Sequence, residues 1–312
     1  MKILLATDGS ESAQAAVDCL LHFPFPSDSE ATLLTVIDSD VFKSEEVSNL
    51  NAEQRNALRE TEKVVYEEAQ ELLVRETARL RNAGWSESSE LRIGHPAEEI
   101  VRVAEQLDSD CIIVGSHGMR GIKRFLLGSV SDHVLHYAPC SVLIVKKPVL
   151  PTSESSKPPT STAIDEHDQP LHMLLAYDDS APARKAAEFC ASLPLGERAA
   201  VTALTILPLI TLYRQDIRQR LSWLWLEKKK QTLAALEGVR KEIGCATPHV
   251  EIQLREAPDV SDEILHAATE FSSGLIVLGH QGKGAIRTFL LGSVTTRIAH
   301  HAPCSVLVVR HS

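Results

Sequence analysis

An internal duplication constrains the fold of this chain more than any other feature of its sequence. Residues 115–146 read GSHGMRGIKRFLLGSVSDHVLHYAPCSVLIVK, and residues 279–310 read GHQGKGAIRTFLLGSVTTRIAHHAPCSVLVVR. The two segments align without a gap and are identical at 17 of 32 positions. The starts of the two halves also match, because KILLATDGSESA at 2–13 parallels HMLLAYDDSAPA at 172–183. A period of about half the 312 residues predicts a duplicated domain rather than a solenoid of short repeats.

The segment between the copies has the composition of a linker. Residues 148–170 read PVLPTSESSKPPTSTAIDEHDQP, which is rich in Pro, Ser and Thr and has no apolar periodicity. Such a segment buries too little apolar surface to offset the entropy lost on ordering. We therefore predict a first domain over 1–147, a linker over 148–170 and a second domain over 171–312.

Each half alternates short apolar strands with helical segments, which predicts an α/β fold. Long charged helices are expected at about 52–82 and about 216–243. The expected strands are 3–6, 31–37, 90–93, 111–114 and 141–145 in the first half, and 173–176, 201–207, 250–254, 275–278 and 305–309 in the second. This order predicts two open, mostly parallel five-stranded sheets of the Rossmann-like type, flanked by helices. Ligands of such sheets bind beyond the carboxyl ends of the strands.

A glycine-rich loop follows the fourth strand of each half. Gly115, Gly118 and Gly128 are separated by two and nine residues, and the second half repeats this spacing at Gly279, Gly282 and Gly292. Glycine allows close approach of the backbone to an anion, and a helix N-terminus offers unpaired N–H donors. The pattern is neither a P-loop nor the dinucleotide fingerprint. Hydroxyl and basic side chains are expected to add phosphate contacts: Ser129, Ser131, Ser293, Thr295, Arg120, Lys123, Arg124, Lys283 and Arg287.

Gly-x2-Gly-x9-Gly-Ser after a fourth strand, with Asp8 or Asp178 just beyond the first, resembles the universal stress protein family. Two copies in one chain resemble the tandem members of that family, whose fold is similar to that of adenine nucleotide alpha hydrolases. The resemblance covers nearly all of the chain except the linker. It implies an ATP-binding regulator of stress response or survival, with Mg²⁺ or Mn²⁺ bridging the phosphates. It also implies that the apolar last strands pair the two halves as a pseudo-dimer within one chain, with a homodimer of whole chains as a further alternative.

The resemblance assigns a nucleotide site to matching positions in both halves. Asp8 and Asp178 would contact ribose or adenine, while Val36, Ile206, Val114 and Leu278 would line the adenine pocket. The residues that would surround ribose and phosphates are Gly115, His117, Gly118, Gly128, Ser129, Val130, Ser131, Gly279, Gln281, Gly282, Gly292, Ser293, Val294 and Thr295.

The two halves are not identical at this site. Asp179 stands in the second half where the first has Gly9, and His280–Gln281 replace Ser116–His117. Because added negative charge repels phosphates, we expect the second site to bind more weakly.

Plainer interpretations stay open for several of these residues. In these alternatives, Asp8 serves only as the cap of the following helix, the glycines serve only as tight turns, and His117 lies at the surface without contacts. The alternatives to an ATP-binding regulator are a nucleotide-independent scaffold and a slow ATP hydrolase. No nucleophile–base pair stands out in the sequence, so we do not expect an enzyme.

Composition and charge disfavour several classes of partner. The net charge of −10 opposes binding of nucleic acids. We find no signal peptide and no long apolar run, so neither a membrane partner nor a membrane location is expected, and the chain is predicted to be cytoplasmic. The six cysteines form no Cys-x-x-Cys pair. They are interpreted as buried reduced thiols, with redox sensing as the alternative.

Overall fold

The computed structural model describes residues 1–39, 51–118, 127–146, 171–209, 215–282 and 291–310, with the side chains of residues 215–222 not described. The chain divides into two compact units; the first contains Met1–Lys146, and the second contains most of the residues that follow. The predicted linker and the basic residues Arg120, Lys123, Arg124, Lys283 and Arg287 lie outside the described residues. The domain bounds therefore stay predictions.

The first repeat is a parallel sheet with helices between its strands. The strands are β1 (Lys2–Ala6), β2 (Glu30–Asp38), β3 (Ser86–Gly94), β4 (Cys111–Gly115) and β5 (Ser141–Val145). The helices are α1 (Glu11–His22), α2 (Ala52–Asn82), α3 (Pro96–Leu107) and α4 (Ser129–Tyr137). The strand order is β3-β2-β1-β4-β5, and all four neighbouring pairs are parallel.

The second repeat has the same order of elements. Its strands are β6 (Leu171–Ala176), β7 (Ala199–Pro208), β8 (Val250–Ala257), β9 (Leu275–Gly279) and β10 (Ser305–Val309). Its helices are α5 (Ala181–Ser192), α6 (Gln215–Ile243), α7 (Val260–Glu270) and α8 (Ser293–His301). The strand order is β8-β7-β6-β9-β10, with parallel pairing of β6 with β7 and β9 and of β7 with β8. The predicted α/β class with mostly parallel open sheets is confirmed.

The core is built from aliphatic side chains of the central strands. Leu4 and Leu5 of β1 and Ile112 and Ile113 of β4 are fully buried, although they are consecutive and point to opposite faces of the sheet. Burial on both faces requires helices on both sides, which is why these strands read as continuous apolar runs.

The outermost strands are longer than the sequence predicts. β3 is Ser86–Gly94 rather than 90–93, and β8 is Val250–Ala257 rather than 250–254. The first residues of β3, SESSE, are mostly exposed and carry no apolar signal. They are held by pairing with β2 along its whole length, a tertiary contact that a local pattern does not report.

The long helices α2 and α6 pack through their C-terminal parts. The buried side chains of α2 begin at Ala69, and those of the described part of α6 begin at Leu236. The first turns of α2 bury no side chain, and a capping box formed by Asn51 and Gln54 fixes where the helix begins. No helix among the described residues is long and apolar enough to span a membrane.

Candidate functional site

The residues that end β1 and β4 meet at one edge of the first sheet. β1 and β4 are adjacent and parallel, so the turn at Asp8 and the loop at Gly118 leave the sheet side by side. A Cβ on Gly118 would lie only 2.9 Å from Asp8 Oδ2. The second repeat has the same contact, with 2.8 Å between a Cβ on Gly282 and Asp178 Oδ2. A side chain at either position would displace the neighbouring carboxylate oxygen from the loop.

The carboxylate of Asp8 is oriented by the turn that follows it. Asp8 Oδ1 accepts a hydrogen bond from Ser10 N at 2.9 Å, and Asp178 Oδ1 accepts one from Ser180 N at 3.0 Å. The N-cap of α1 is Ser10, whose Oγ accepts a hydrogen bond from Ala13 N. The alternative in which Asp8 is the helix cap is therefore wrong, because the hydroxyl two residues later has that role. One oxygen of Asp8 is fixed, and the other faces the glycine loop.

Gly115 and Gly279 permit a close contact between the end of a strand and a helix start. A Cβ on Gly115 would lie 2.6 Å from the carbonyl carbon of Ser12 in α1. A Cβ on Gly279 would lie 2.6 Å from that of Pro182 in α5. These two glycines therefore let α1 and α5 lie directly against β4 and β9.

A backbone hydrogen bond closes the base of each glycine loop. Gly128 N donates to Ser116 O at 2.8 Å, and Gly292 N donates to His280 O at 2.8 Å. Gly128 and Gly292 are the N-caps of α4 and α8, and neither helix has a side-chain hydrogen bond at its cap. The first-turn N–H groups of each helix are therefore not occupied by a capping side chain, and they present donors and a partial positive charge beside the loop.

The hydroxyl groups in the first turns of α4 and α8 differ in availability. Ser131 Oγ donates to Gly115 O at 2.7 Å, and Thr295 Oγ1 donates to Gly279 O at 3.0 Å. Since a hydroxyl has one proton, these two groups would have to give up those bonds before donating to phosphate. Ser129 and Ser293 are exposed at the first helical position, while Val130 and Val294 beside them are half-buried. Their predicted phosphate contacts stay predictions.

His117 presents a buried nitrogen to this region. Its Nδ1 lies 3.0 Å from Ser116 Oγ, whereas its Nε2 is buried with no hydrogen-bond partner among the described residues. An unpaired buried polar atom is costly, so a ligand or water that bonds to Nε2 would be favoured there. The second repeat has a buried amide, Gln281, in the same position.

The predicted adenine-pocket residues fall into two groups. Val36 and Ile206 lie two residues beyond Leu34 and Leu204, the partners of Ala6 and Ala176, so each is level with the aspartate of its repeat. Val36 is half-buried, and Ile206 is 9% exposed. Val114 and Leu278 are each 3% exposed, so their side chains belong to the core and leave mainly backbone to face a ligand.

Two threonines that the sequence analysis missed hold the edge of the site together. Thr35 Oγ1 donates to Thr7 O at 3.0 Å, and Thr205 Oγ1 donates to Tyr177 O at 2.6 Å. Both threonines are buried, and each lies 28 residues after its acceptor. That shared spacing in the two repeats was the signal that would have identified them.

The extra aspartate of the second repeat, Asp179, is held by an ion pair and a hydrogen bond with residues nearby in the sequence. Asp179 has φ of +61°, in the left-handed region that Gly9 occupies at +76°. Its Oδ1 accepts hydrogen bonds from Arg184 Nη1 at 2.8 Å and from Tyr177 Oη at 3.2 Å. Burial, followed by the charge of Asp179, raises the pKa of Tyr177 to about 12. The ion pair is half-exposed and offsets only part of the repulsion expected between Asp179 and phosphates.

The part of the chain that the structure describes contains no group of three or more His, Cys, Asp or Glu residues that could hold a metal ion. Mg²⁺ in nucleotide sites is commonly bound by one or two carboxylates together with phosphate oxygens. Asp8 and Asp178, each with one oxygen toward the glycine loop, fit that single-carboxylate role. The predicted Mg²⁺ or Mn²⁺ therefore depends on bound phosphates.

Most of the cysteines have the environment that was predicted. All six are free thiols; Cys111, Cys140, Cys190 and Cys304 are buried, and Cys19 is half-buried. Burial raises the pKa of Cys19, Cys140 and Cys190 to about 12 in each case, and burial also raises that of Cys111. Cys245 is exposed, which corrects the interpretation for this residue. It lies in the exposed turn that follows α6, which ends at Ile243.

Comparison with known proteins gives matches to one family. The model of the universal stress protein family matches residues 1–146 and again residues 171–310. A universal stress protein of Methanocaldococcus jannaschii is 34% identical over 153 residues, which are 47% of this chain and 94% of that protein. A second one from the same organism is 35% identical over 147 residues, 47% of this chain and 82% of its own length.

Among solved structures, a universal stress protein from Archaeoglobus fulgidus matches over 100% of this chain and 96% of its own. The TM-score is 0.63 at 22% sequence identity. At this identity the likeness shows the fold alone.

Proposed function

Because the chain belongs to the universal stress protein family, we propose that it binds ATP or another adenine nucleotide at the glycine loop of each repeat. We further propose that it acts as a cytoplasmic regulator of a stress response. The observation that carries the nucleotide proposal is the contact between Asp8 Oδ2 and Gly118 beside the uncapped N-terminus of α4. The same arrangement of Asp178, Gly282 and α8 supports a second site.

Each part of the site suits a different part of a nucleotide. The uncapped helix N-terminus offers N–H donors and partial positive charge to phosphates. A carboxylate held beside the loop suits sugar hydroxyls or a metal ion that a phosphate brings, since ionised carboxylates only accept hydrogen bonds. Val36 and Ile206 supply apolar surface, level with the aspartates, for a base. The site thus offers polar donors at one end and apolar contacts at the other.

We propose binding rather than catalysis as the purpose of the site. The described residues around the loop include carboxylates, a histidine and hydroxyls, but Ser131 and Thr295 already donate to backbone carbonyls. No arrangement of nucleophile, base and orienting group is present among them. Slow ATP hydrolysis and a nucleotide-independent scaffold are the two alternatives. The predicted pairing of the halves through their last strands stays a prediction.

Isothermal titration calorimetry with ATP and Mg²⁺ tests the proposal. In Gly128→Glu and Gly292→Glu, a charged side chain would enter between the loop and the helix N-terminus, because a Cβ on either glycine already lies 3.3 Å from a backbone atom of the residue at 117 or 281. We expect two ATP per chain, and one ATP in either variant.

Gly238→Glu is the matched control. A Cβ on Gly238, in the C-terminal part of α6, meets nothing within 4 Å, so this variant adds the same charge away from the glycine loops. It should keep both sites. If the wild-type chain binds one ATP, and only Gly128→Glu abolishes that binding, the proposal would hold for the first repeat alone. Folded, nucleotide-free protein that binds no ATP at millimolar concentration would contradict the proposal and favour the scaffold. Release of phosphate at a rate that depends on Asp8 would favour the hydrolase.

A further inference from the structure

The long helices α2 and α6 expose apolar side chains that have no role in the nucleotide site. On α6, Trp223 is 64% exposed, Leu226 is 56% exposed and Leu233 is 44% exposed. On α2, Val64 is 51% exposed and Val74 is 71% exposed. Large apolar groups grouped on one helix face differ from single exposed residues, which are ordinary on protein surfaces.

The exposed residues of α6 form one stripe. Trp223, Leu226, Lys230 and Leu233 follow one another at intervals of three, four and three residues, which places them along one face of the helix. We call these four residues the α6 stripe. Tryptophan and leucine on an exposed face with this spacing are typical of a surface that packs against another helix.

An outward face of α2 carries a second stripe with identical spacing. Val64, Glu67, Glu71 and Val74 are all exposed, and they also follow one another at intervals of three, four and three residues. We call these four residues the α2 stripe. It lies away from the buried face of the helix, which includes Ala69, Leu73 and Leu80.

The two stripes lie in helical segments of opposite charge. The segment Glu60–Glu71 of α2 contains five glutamates and one lysine, a net charge of −4. The segment Trp223–Leu233 of α6 contains three lysines and one glutamate, a net charge of +2. Complementary charge favours α2 against α6, whereas α2 against α2 and α6 against α6 would place like charges together.

We propose that the α6 stripe is a docking surface for the α2 stripe of a second copy of this chain. Both stripes are exposed in the described structure, so each offers its apolar and charged side chains to the surface of another molecule. In a parallel pair of helices Glu71 lies opposite Lys230. In an antiparallel pair Glu67 lies opposite Lys230. In both directions Val64 and Val74 lie opposite Trp223 and Leu233. The second copy is thus recognised by an apolar contact at each end and a charge pair between them.

The repeat architecture allows this contact to occur twice. Each chain carries one α2 stripe and one α6 stripe, so two copies can exchange α2 for α6 in both directions, as in a symmetric dimer. The same contact extends to longer assemblies if the exchange does not close. Both outcomes depend on the same four-residue stripes.

Analytical ultracentrifugation of the full chain from roughly 1 to 100 µM tests the proposal, since contacts of this small size are weak. We expect wild-type protein to self-associate as its concentration rises. Charge reversal of α6 by Lys228→Glu/Lys230→Glu, or of α2 by Glu67→Lys/Glu71→Lys, should weaken association by about tenfold or more because like charges then face each other. All four side chains are exposed, so both variants are expected to fold, and circular dichroism checks this.

Mixing the two variants gives the decisive readout. Within the stripes, the α6-reversed chain has only acidic charged side chains (Glu67, Glu71 and the changed position 230), and the α2-reversed chain has only basic ones. Like charges therefore face each other when either variant pairs with itself, and opposite charges face each other when the two variants pair. The mixture should therefore associate at least as well as wild-type protein, and one chain that carries all four substitutions should associate with itself again.

A control and three outcomes complete the test. Glu98→Lys/Glu105→Lys on α3 makes the same change in net charge as the α2 reversal, but away from both stripes, and should leave association unchanged. Wild-type protein that stays monomeric throughout, or a mixture of the two variants that fails to associate, would overturn the proposal. The α6 stripe and the lysines of the surrounding segment also resemble a surface for anionic lipid. Wild-type chain that binds phosphatidylserine-containing vesicles without self-associating would contradict the proposal. If Lys228→Glu/Lys230→Glu abolished that binding, the partner of the α6 stripe would be a membrane and not a second copy of the chain.

Discussion

Gly115 ends β4 against the first turn of α1, and replacing it by alanine should destabilise the first repeat. The added Cβ would lie 2.6 Å from Ser12 C, 2.7 Å from Ser12 O and 2.8 Å from Ser12 Cβ. Carbon atoms in contact prefer about 3.5–4.0 Å, so α1 would have to move back by about 1 Å. The nearest atoms belong to the backbone, and a rotamer change cannot remove the clash. Overpacking of this kind costs about 1–3 kcal/mol.

Thermal unfolding followed by differential scanning calorimetry measures the effect of Gly115→Ala. For a domain of this size each kcal/mol shifts Tm by about 2–4 °C, so the first repeat should lose about 2–12 °C. Gly279→Ala should act alike in the second repeat, since its Cβ would lie 2.6 Å from Pro182 C.

Gly238→Ala is the control for these substitutions. It lies within α6, where a Cβ meets nothing within 4 Å, so it should stabilise by about 0.5–1 kcal/mol through helix propensity. A Gly115→Ala variant that melts within about 1 °C of wild type would refute the tight contact between β4 and α1, which accounts for glycine at this position.

Three further outcomes are expected. Gly118→Ala should lower ATP affinity by about tenfold, or about 1.4 kcal/mol, because its Cβ would displace Asp8 Oδ2. Little change in Tm is expected, since a side-chain carboxylate and not backbone has to move. An unchanged Kd would show that Asp8 does not contribute to binding. A thiol reagent should modify one cysteine per native chain quickly, and Cys245→Ser should abolish that reaction; fast labelling of any buried thiol would contradict the burial seen here. The pKa of Tyr177 is raised from 10.0 to about 12, so the native state keeps its proton longer than the unfolded chain, and this contribution to stability is complete below pH 10 and lost as pH rises toward about 12. Denaturant unfolding across that range should show a steeper alkaline loss in wild type than in Tyr177→Phe, and parallel losses would disprove the shift.

The sequence predicted the parts of this molecule that local pattern and duplication determine. Continuous aliphatic runs predicted β4 and β9, and a charged helical pattern predicted α2 from Ala52 to Asn82. The glycine spacing predicted that two loops would meet two aspartates, because the carboxyl ends of neighbouring parallel strands share one edge. The close approach of Gly118 to Asp8 bears out that placement.

The sequence did not predict contacts whose partners are distant along the chain. The role of Gly115 depends on Ser12, 103 positions away, so its spacing indicated a ligand while its packing function went unseen. The pairing of Asp179 with Arg184 is a local contact, but it requires the left-handed turn that places the carboxylate over the start of α5. The exposed start of α2 could not be anticipated either, because its helical pattern continues without a break from the exposed part to the packed part.

The hydrogen bond from Gly128 N to Ser116 O also bears on how far the length of the glycine loop can be changed. It holds the backbone at positions 116 and 128 together, on either side of the segment 117–127. Lengthening a segment between fixed ends is cheap, since each doubling costs only about 0.6 kcal/mol in closure entropy. The bond from Gly292 N to His280 O gives the second repeat the same freedom. A protein engineer can therefore graft loops of different length and charge at these two places, one repeat at a time, while the sheet beneath remains the same.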